Sequence, residues 1–243
     1  MNNLYAFSIS LFAGLTTILG SFMIFLKNRD KIIKYSLWFC SGVIISICLF
    51  DLLPNSYINI NKYFEIIPTL LFMGIFITIG IIIDITIDKS ITNSNNLYKI
   101  GILSTIAMIL HNVPEGIITF ITSIADAKLG IKLAIIIALH NIPEGILISI
   151  PIYYSSNKKY KAILLTTISG LSEFLGALLA YKFINYISSY TILGLLFALI
   201  SGLMLYIAVY EIPLLLKNYD KKGRVVSFIL GFVLIVFNHF ILN

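Results

Sequence analysis

Two octets in this chain carry the residue types that hold transition metal ions. Leu110-His111-Asn112-Val113-Pro114-Glu115-Gly116-Ile117 recurs as Leu139-His140-Asn141-Ile142-Pro143-Glu144-Gly145-Ile146, with one position changed. On a helix His111 and Glu115 stand at i and i+4, and Asn112 and Glu115 at i and i+3. Each octet therefore turns an imidazole, an amide and a carboxylate toward one side. His140, Asn141 and Glu144 repeat the arrangement. Imidazole with carboxylate suits Zn, Fe, Co, Ni or Mn, whereas Ca and Mg prefer shells of oxygen. Two of the chain's three histidines lie in these octets.

Pro114 and Pro143 read as helix kinks. A proline inside a helix leaves the carbonyl four residues earlier without its donor, here those of Leu110 and Leu139. Gly116 and Gly145 would let a neighbouring helix come close at the bend. A further carboxylate, Glu173, lies in Ser169-Gly170-Leu171-Ser172-Glu173-Phe174-Leu175-Gly176. For Glu173 alone, a hydrogen bond between helices is the competing reading.

The elements that must position these groups are membrane spans. The chain is 59% hydrophobic and 12% charged, with a mean hydropathy of +0.99; a soluble domain is about a quarter charged. Eight apolar stretches predict spans over roughly 4–26, 34–53, 68–87, 101–123, 130–152, 161–184, 191–215 and 224–242. The expected fold is an all-α membrane protein: one eight-span domain, 1–243, with helices bundled and spans 4 and 5 proline-kinked. The first stretch has no basic segment before it and exceeds a signal-peptide core, so it reads as a span. Cys40 and Cys48 share one apolar run and read as free buried thiols.

Basic residues orient the bundle. The segments after spans 1, 3, 5 and 7 carry four, two, three and four Lys or Arg, thirteen of the seventeen. The other side holds Lys62, Lys128, Lys132 and Lys182. The positive-inside rule puts the four basic loops in the cytoplasm and both termini outside, in a multi-pass protein of the cell membrane. The net charge of +6 thus reflects topology and a lipid partner, and no nucleic-acid partner is expected.

His111, His140 and Glu173 each fall about 10–12 residues into a span, roughly 15 Å deep in a core about 30 Å thick. Three carboxylates and two imidazoles at one depth are costly unless a positive charge neutralises them. No Lys or Arg occurs near that level, so the missing charge is the ion. His239 reads as interfacial. Asp51 and Asp126 lie toward the outside, and Asp84, Asp88 and Glu211 toward the inside. They are open to reading as entrance and exit ligands or as ordinary boundary residues.

Paired HNxPEG motifs on the fourth and fifth of eight spans resemble the ZIP (Zrt/Irt-like) metal transporters, and among them the bacterial zinc-uptake branch. SGLSEFLGA around Glu173 and SGLMLYIAVYEIP around Glu211 resemble the family's sixth- and seventh-span motifs. The resemblance implies a metal position formed by His111, Glu115, His140 and Glu144. It implies an adjacent second position formed by Asn112, Asn141 and Glu173, sharing Glu115 and Glu144. It further implies uptake of Zn2+ as transported substrate, with Fe2+, Mn2+, Co2+ and Cd2+ as further candidates. An elevator-like movement of transport helices against a scaffold is part of the same expectation. The metal is cargo, no cofactor is expected, and a homodimer is left open. The loop DKSITNSNNLYK lacks the histidines of many relatives, so metal sensing there is not expected. For a second-span ligand, only Ser46 and Cys48 stand near mid-depth.

Two other classes stay open. A passive metal channel would use the same ligands. A membrane metalloenzyme fits less well: HExxH is absent, three histidines are few for a di-iron oxidase, and the order here is HxxxE rather than ExxH.

Overall fold

In lipid, a backbone polar group has no water to bond, so long apolar runs satisfy their N–H and C=O groups internally as helix. The computed structural model describes residues 3–91, 95–183, 190–219 and 221–242. Part of the histidine-free loop, residue 184 at the end of the sixth predicted span and the side chain of His239 lie outside the described residues. The described residues are helical throughout, joined by short turns.

Among the described residues, seven helices are long and apolar enough to cross a membrane. They are α1 (Asn3–Phe25), α2 (Arg29–Asn61), α3 (Ile66–Ser90), α4 (Asn96–Ala125), α5 (Ala127–Ser156), α6 (Lys159–Phe183) and α7 (Thr191–Asn218). An eighth, α8 (Arg224–Leu242), has a shorter apolar part, Arg224–Asn238.

Local chemistry sets several boundaries. Asn95 caps α4 by accepting from Leu97 N at 3.0 Å. Asp126 ends α4 and caps α5, accepting from Lys128 N and Leu129 N at 2.8 and 3.2 Å. A single residue thus turns the chain between the two octet-bearing helices, a use of Asp that its short acceptor side chain favours. This is the structural role of Asp126. Two prolines outside the octets are accommodated differently. Pro54 follows a π-helical turn, Cys48–Leu52, and Pro213 follows another, Ile207–Glu211. Widening the turn ahead of a proline makes room for the ring and for the carbonyl it leaves free.

The helices pack in two groups. α1, α4, α5 and α6 pack on one another, as do α2, α3, α7 and α8; the groups meet chiefly where α2 lies along α5 and where α7 lies along α4. Lipid is as apolar as a leucine side chain, so association rests on close fit rather than on escape from water. Gly145 of α5 lies so near α1 that a Cβ there would run into the Thr17 carbonyl. The largest apolar core joins both groups, with Leu37, Ile44 and Ile47 of α2, Leu147 and Ile148 of α5 and Leu203 of α7 fully buried. Outward faces remain apolar: on α3, Ile67 and Leu71 are exposed, as suits contact with acyl chains.

Candidate metal centre

The octets sit on antiparallel neighbours, α4 and α5, and face each other within the first group. His111, Asn112, Asn141 and Glu173 are 0% exposed, and Glu115, His140 and Glu144 at most 6%. His140 Nε2 lies 2.9 Å from Glu115 Oε1. His111 Nε2 lies 3.2 Å from the same oxygen and 3.4 Å from Glu144 Oε1. One carboxylate oxygen therefore stands between both imidazoles, whose ring centroids are 6.2 Å apart. One ligand atom from each of His111, His140 and Glu144 can be chosen so that all lie within 4.8 Å of one another.

These separations fit a single small cation. Zn–N and Zn–O bonds of about 2.0–2.1 Å in tetrahedral array put neighbouring ligand atoms about 3.3 Å apart. The nitrogen–oxygen distances already span 2.9–3.4 Å. Among the described residues, Glu115 Oε2 and both oxygens of Glu144 are buried with no hydrogen-bond partner. A buried anionic oxygen without a donor is costly, and a cation would supply what is lacking.

A second set of acceptors adjoins the first. Asn112 donates its amide N–H to the Ser169 carbonyl at 3.0 Å. Asn141 donates to the Ala13 carbonyl at 3.0 Å and to Glu173 Oε2 at 3.1 Å. Both amide groups are thus anchored through nitrogen, leaving Asn112 Oδ1, Asn141 Oδ1 and Glu173 Oε1 buried and unpartnered among the described residues. An amide held this way presents only its acceptor side. Glu173 comes from α6, and Gly116 explains its closeness: a Cβ at Gly116 would run into the Glu173 backbone carbonyl.

Pro114 and Pro143 both lie inside continuous helices. Cys40 of α2 donates its thiol to the Pro143 carbonyl at 3.3 Å, one residue before Glu144. Neither mid-depth candidate on α2 turns to the cluster. Ser46 bonds to its own helix at Gly42 and Val43, and Cys48 faces the Ser201 carbonyl of α7.

The acidic residues of the helix ends separate clearly. Asp51, held by Asn55 at 2.6 Å, lines a cavity of about 600 Å3 that reaches Glu115 and His140. The sequence marked Asp51 only by its depth; the cavity joins it to the site. Toward the other end, Asp88 pairs with Lys99 at 3.1 Å, and both line a cavity of about 520 Å3 with Tyr206 and Glu211. Asp84 is buried nearby, with neither oxygen partnered among the described residues.

A bundle of long apolar helices around a buried His, Glu and Asn cluster defines a multi-pass membrane protein whose central donors could hold a divalent cation. Comparison with known proteins gives the family. Residues 88–239 match the family model described as ZIP zinc transporter. The chain is 37% identical to the zinc transporter ZupT of Lysinibacillus sphaericus, over 90% of each chain. It is 32% identical to that of Streptococcus mutans, over 95% of this chain and 94% of the relative. It is 34% identical to that of Oceanobacillus iheyensis, over 90% and 91%. The chain belongs to the ZIP zinc transporter family, a family of transporters and not of enzymes.

Proposed function

We propose that this chain is a carrier that takes zinc into the cytoplasm across the cell membrane, through a site on spans 4, 5 and 6 of a single eight-span domain. One observation carries the reading: His111, Glu115, His140 and Glu144 converge in a buried cluster in which, among the described residues, Glu115 Oε2 and both Glu144 oxygens lack donors. They form the first metal position. Asn112, Asn141 and Glu173 form the second, sharing Glu115 and Glu144. The names of the relatives support zinc as the cargo. The donor set would also take Fe2+, Mn2+, Co2+ and Cd2+.

Thirteen of seventeen basic residues in four loops support cytoplasmic placement of those loops, with both termini outside. On that orientation Asp51 lies toward the outside, and its cavity is the way in to His140 and Glu115. The division into two helix groups, with all seven candidate ligands in one, favours a carrier over a channel. Group movement would carry the site from one side to the other. Zinc uptake into proteoliposomes with competing Cd, Fe, Mn, Co and Ni tests this. Saturable flux at carrier rates, competed by Cd and Co, is expected; no zinc movement by correctly inserted protein would overturn it.

A further inference from the structure

A cleft of about 500 Å3 opens where the two helix groups meet, at the end of the bundle that holds the α1–α2 turn. Met23 of α1 and Ile146 of α5 form one wall; Ile32 and Phe39 of α2 and Leu230 of α8 form the other. At its rim stand Lys27 and Lys31, both exposed. Among the described residues neither lysine has an ion-pair partner, and no acidic side chain lines the cleft. Asp30, the nearest acid in sequence, lies outside the lining. Two unpaired cations above an apolar slot make a layered surface, with charge where headgroups lie and hydrocarbon below.

We infer that this cleft is a binding site for an anionic phospholipid of the leaflet on that side. Its phosphate would sit on Lys27 and Lys31, and an acyl chain would run down between Met23, Phe39, Ile146 and Leu230. A soluble anion would use only the rim, and a neutral phospholipid only the walls. An anionic diacyl lipid uses both, which is the charge complementarity expected of basic pockets between membrane helices. The place gives the lipid leverage on transport. Ile146 is two residues beyond Glu144 on α5, while α2 and α8 belong to the other group. A ligand that fills the gap between two groups favours the arrangement in which the gap exists. The inference rests on the membrane reading of the fold but not on the metal ligands.

Native mass spectrometry of the full chain in detergent, titrated with phosphatidylglycerol or phosphatidylcholine, tests it. Lys27→Gln/Lys31→Gln should weaken phosphatidylglycerol binding about 30-fold, the combined worth of two lysines beside an anionic headgroup. Phosphatidylcholine binding should not change. Lys128→Gln/Lys132→Gln, the same charge change at the opposite end, should bind phosphatidylglycerol like the wild type. Leu230→Trp fills the apolar wall with both lysines kept, and should also weaken binding. Equal losses in the two lysine pairs, undiminished binding in Leu230→Trp, or no preference for phosphatidylglycerol in the wild type would each overturn the site. Zinc affinity measured on the same samples keeps the two readings apart, since loss of zinc binding with lipid binding intact refutes only the metal site.

Discussion

Replacing Glu115 by Gln removes a charge from the centre of the cluster while keeping the side chain's size. Glu115 Oε1 is 2.9 Å from His140 and 3.2 Å from His111, whereas Glu144 Oε1 approaches only His111, at 3.4 Å. Glu115 is 6% exposed, so the substitution changes charge at a largely buried position. Apparent binding of zinc by a four-ligand protein site is worth about 10–16 kcal/mol, or roughly 2.5–4 kcal/mol per ligand. The amide oxygen of Gln remains a weak ligand, which leaves a loss of about 2–3 kcal/mol, or about 30- to 140-fold in affinity. Asn112→Ala removes a neutral ligand from the second position and should cost less than about tenfold. The assay is zinc binding to purified protein by isothermal titration, paired with uptake into proteoliposomes at matched protein content. Glu65→Gln, at an exposed carboxylate, is the control. Zinc affinity in Glu115→Gln within about threefold of wild type would refute the assignment of Glu115 as a shared ligand.

The other predictions test geometry, proton competition and orientation. Gly116→Ala should force α4 and α6 apart at Glu173, lowering stability by about 1–3 kcal/mol as overpacking does; an unchanged melting temperature and unchanged zinc flux would show that the contact is not tight. Zinc binds neutral imidazole, so protons compete with it, and affinity should weaken as pH falls from about 7.5 to 5.5, around the ordinary His value near 6.5. His111→Ala/His140→Ala should flatten that dependence, and a pH-independent wild type would exclude the histidines as competing ligands. Asn3→Cys and Lys62→Cys should react with an impermeant maleimide from outside intact cells and Lys158→Cys should not. The native Cys40 and Cys48 are buried, so the background is low, and labelling of Lys158→Cys would reverse the orientation.

The apolar runs and the duplicated octet by themselves determined the helical class and the family. Both are local: a run of apolar residues must close its own backbone bonds in lipid, and i, i+4 spacing puts His111 beside Glu115 in any helix. Spacing along a helix says nothing about which neighbour it meets. Sequence therefore treated Glu115 and Glu144 alike, and only the packing of α4 against α5 put one Glu115 oxygen between both imidazoles. Glu173 is distant in sequence from both octets, and its place beside Asn141 depends on the absence of a side chain at Gly116. Asp126, open to reading as a ligand, became a helix cap because the chain turns there within one residue. Asp51, marked only by depth, joined the site through a cavity enclosed by helices from both groups. Ser46 and Cys48 have the right depth but the wrong azimuth: the Ser46 hydroxyl bonds back to the Gly42 and Val43 carbonyls of its own helix, and Cys48 turns to the Ser201 carbonyl of α7. Depth follows from counting residues, but azimuth and neighbour are set by how whole helices fit together, and that fit is a property of the folded chain.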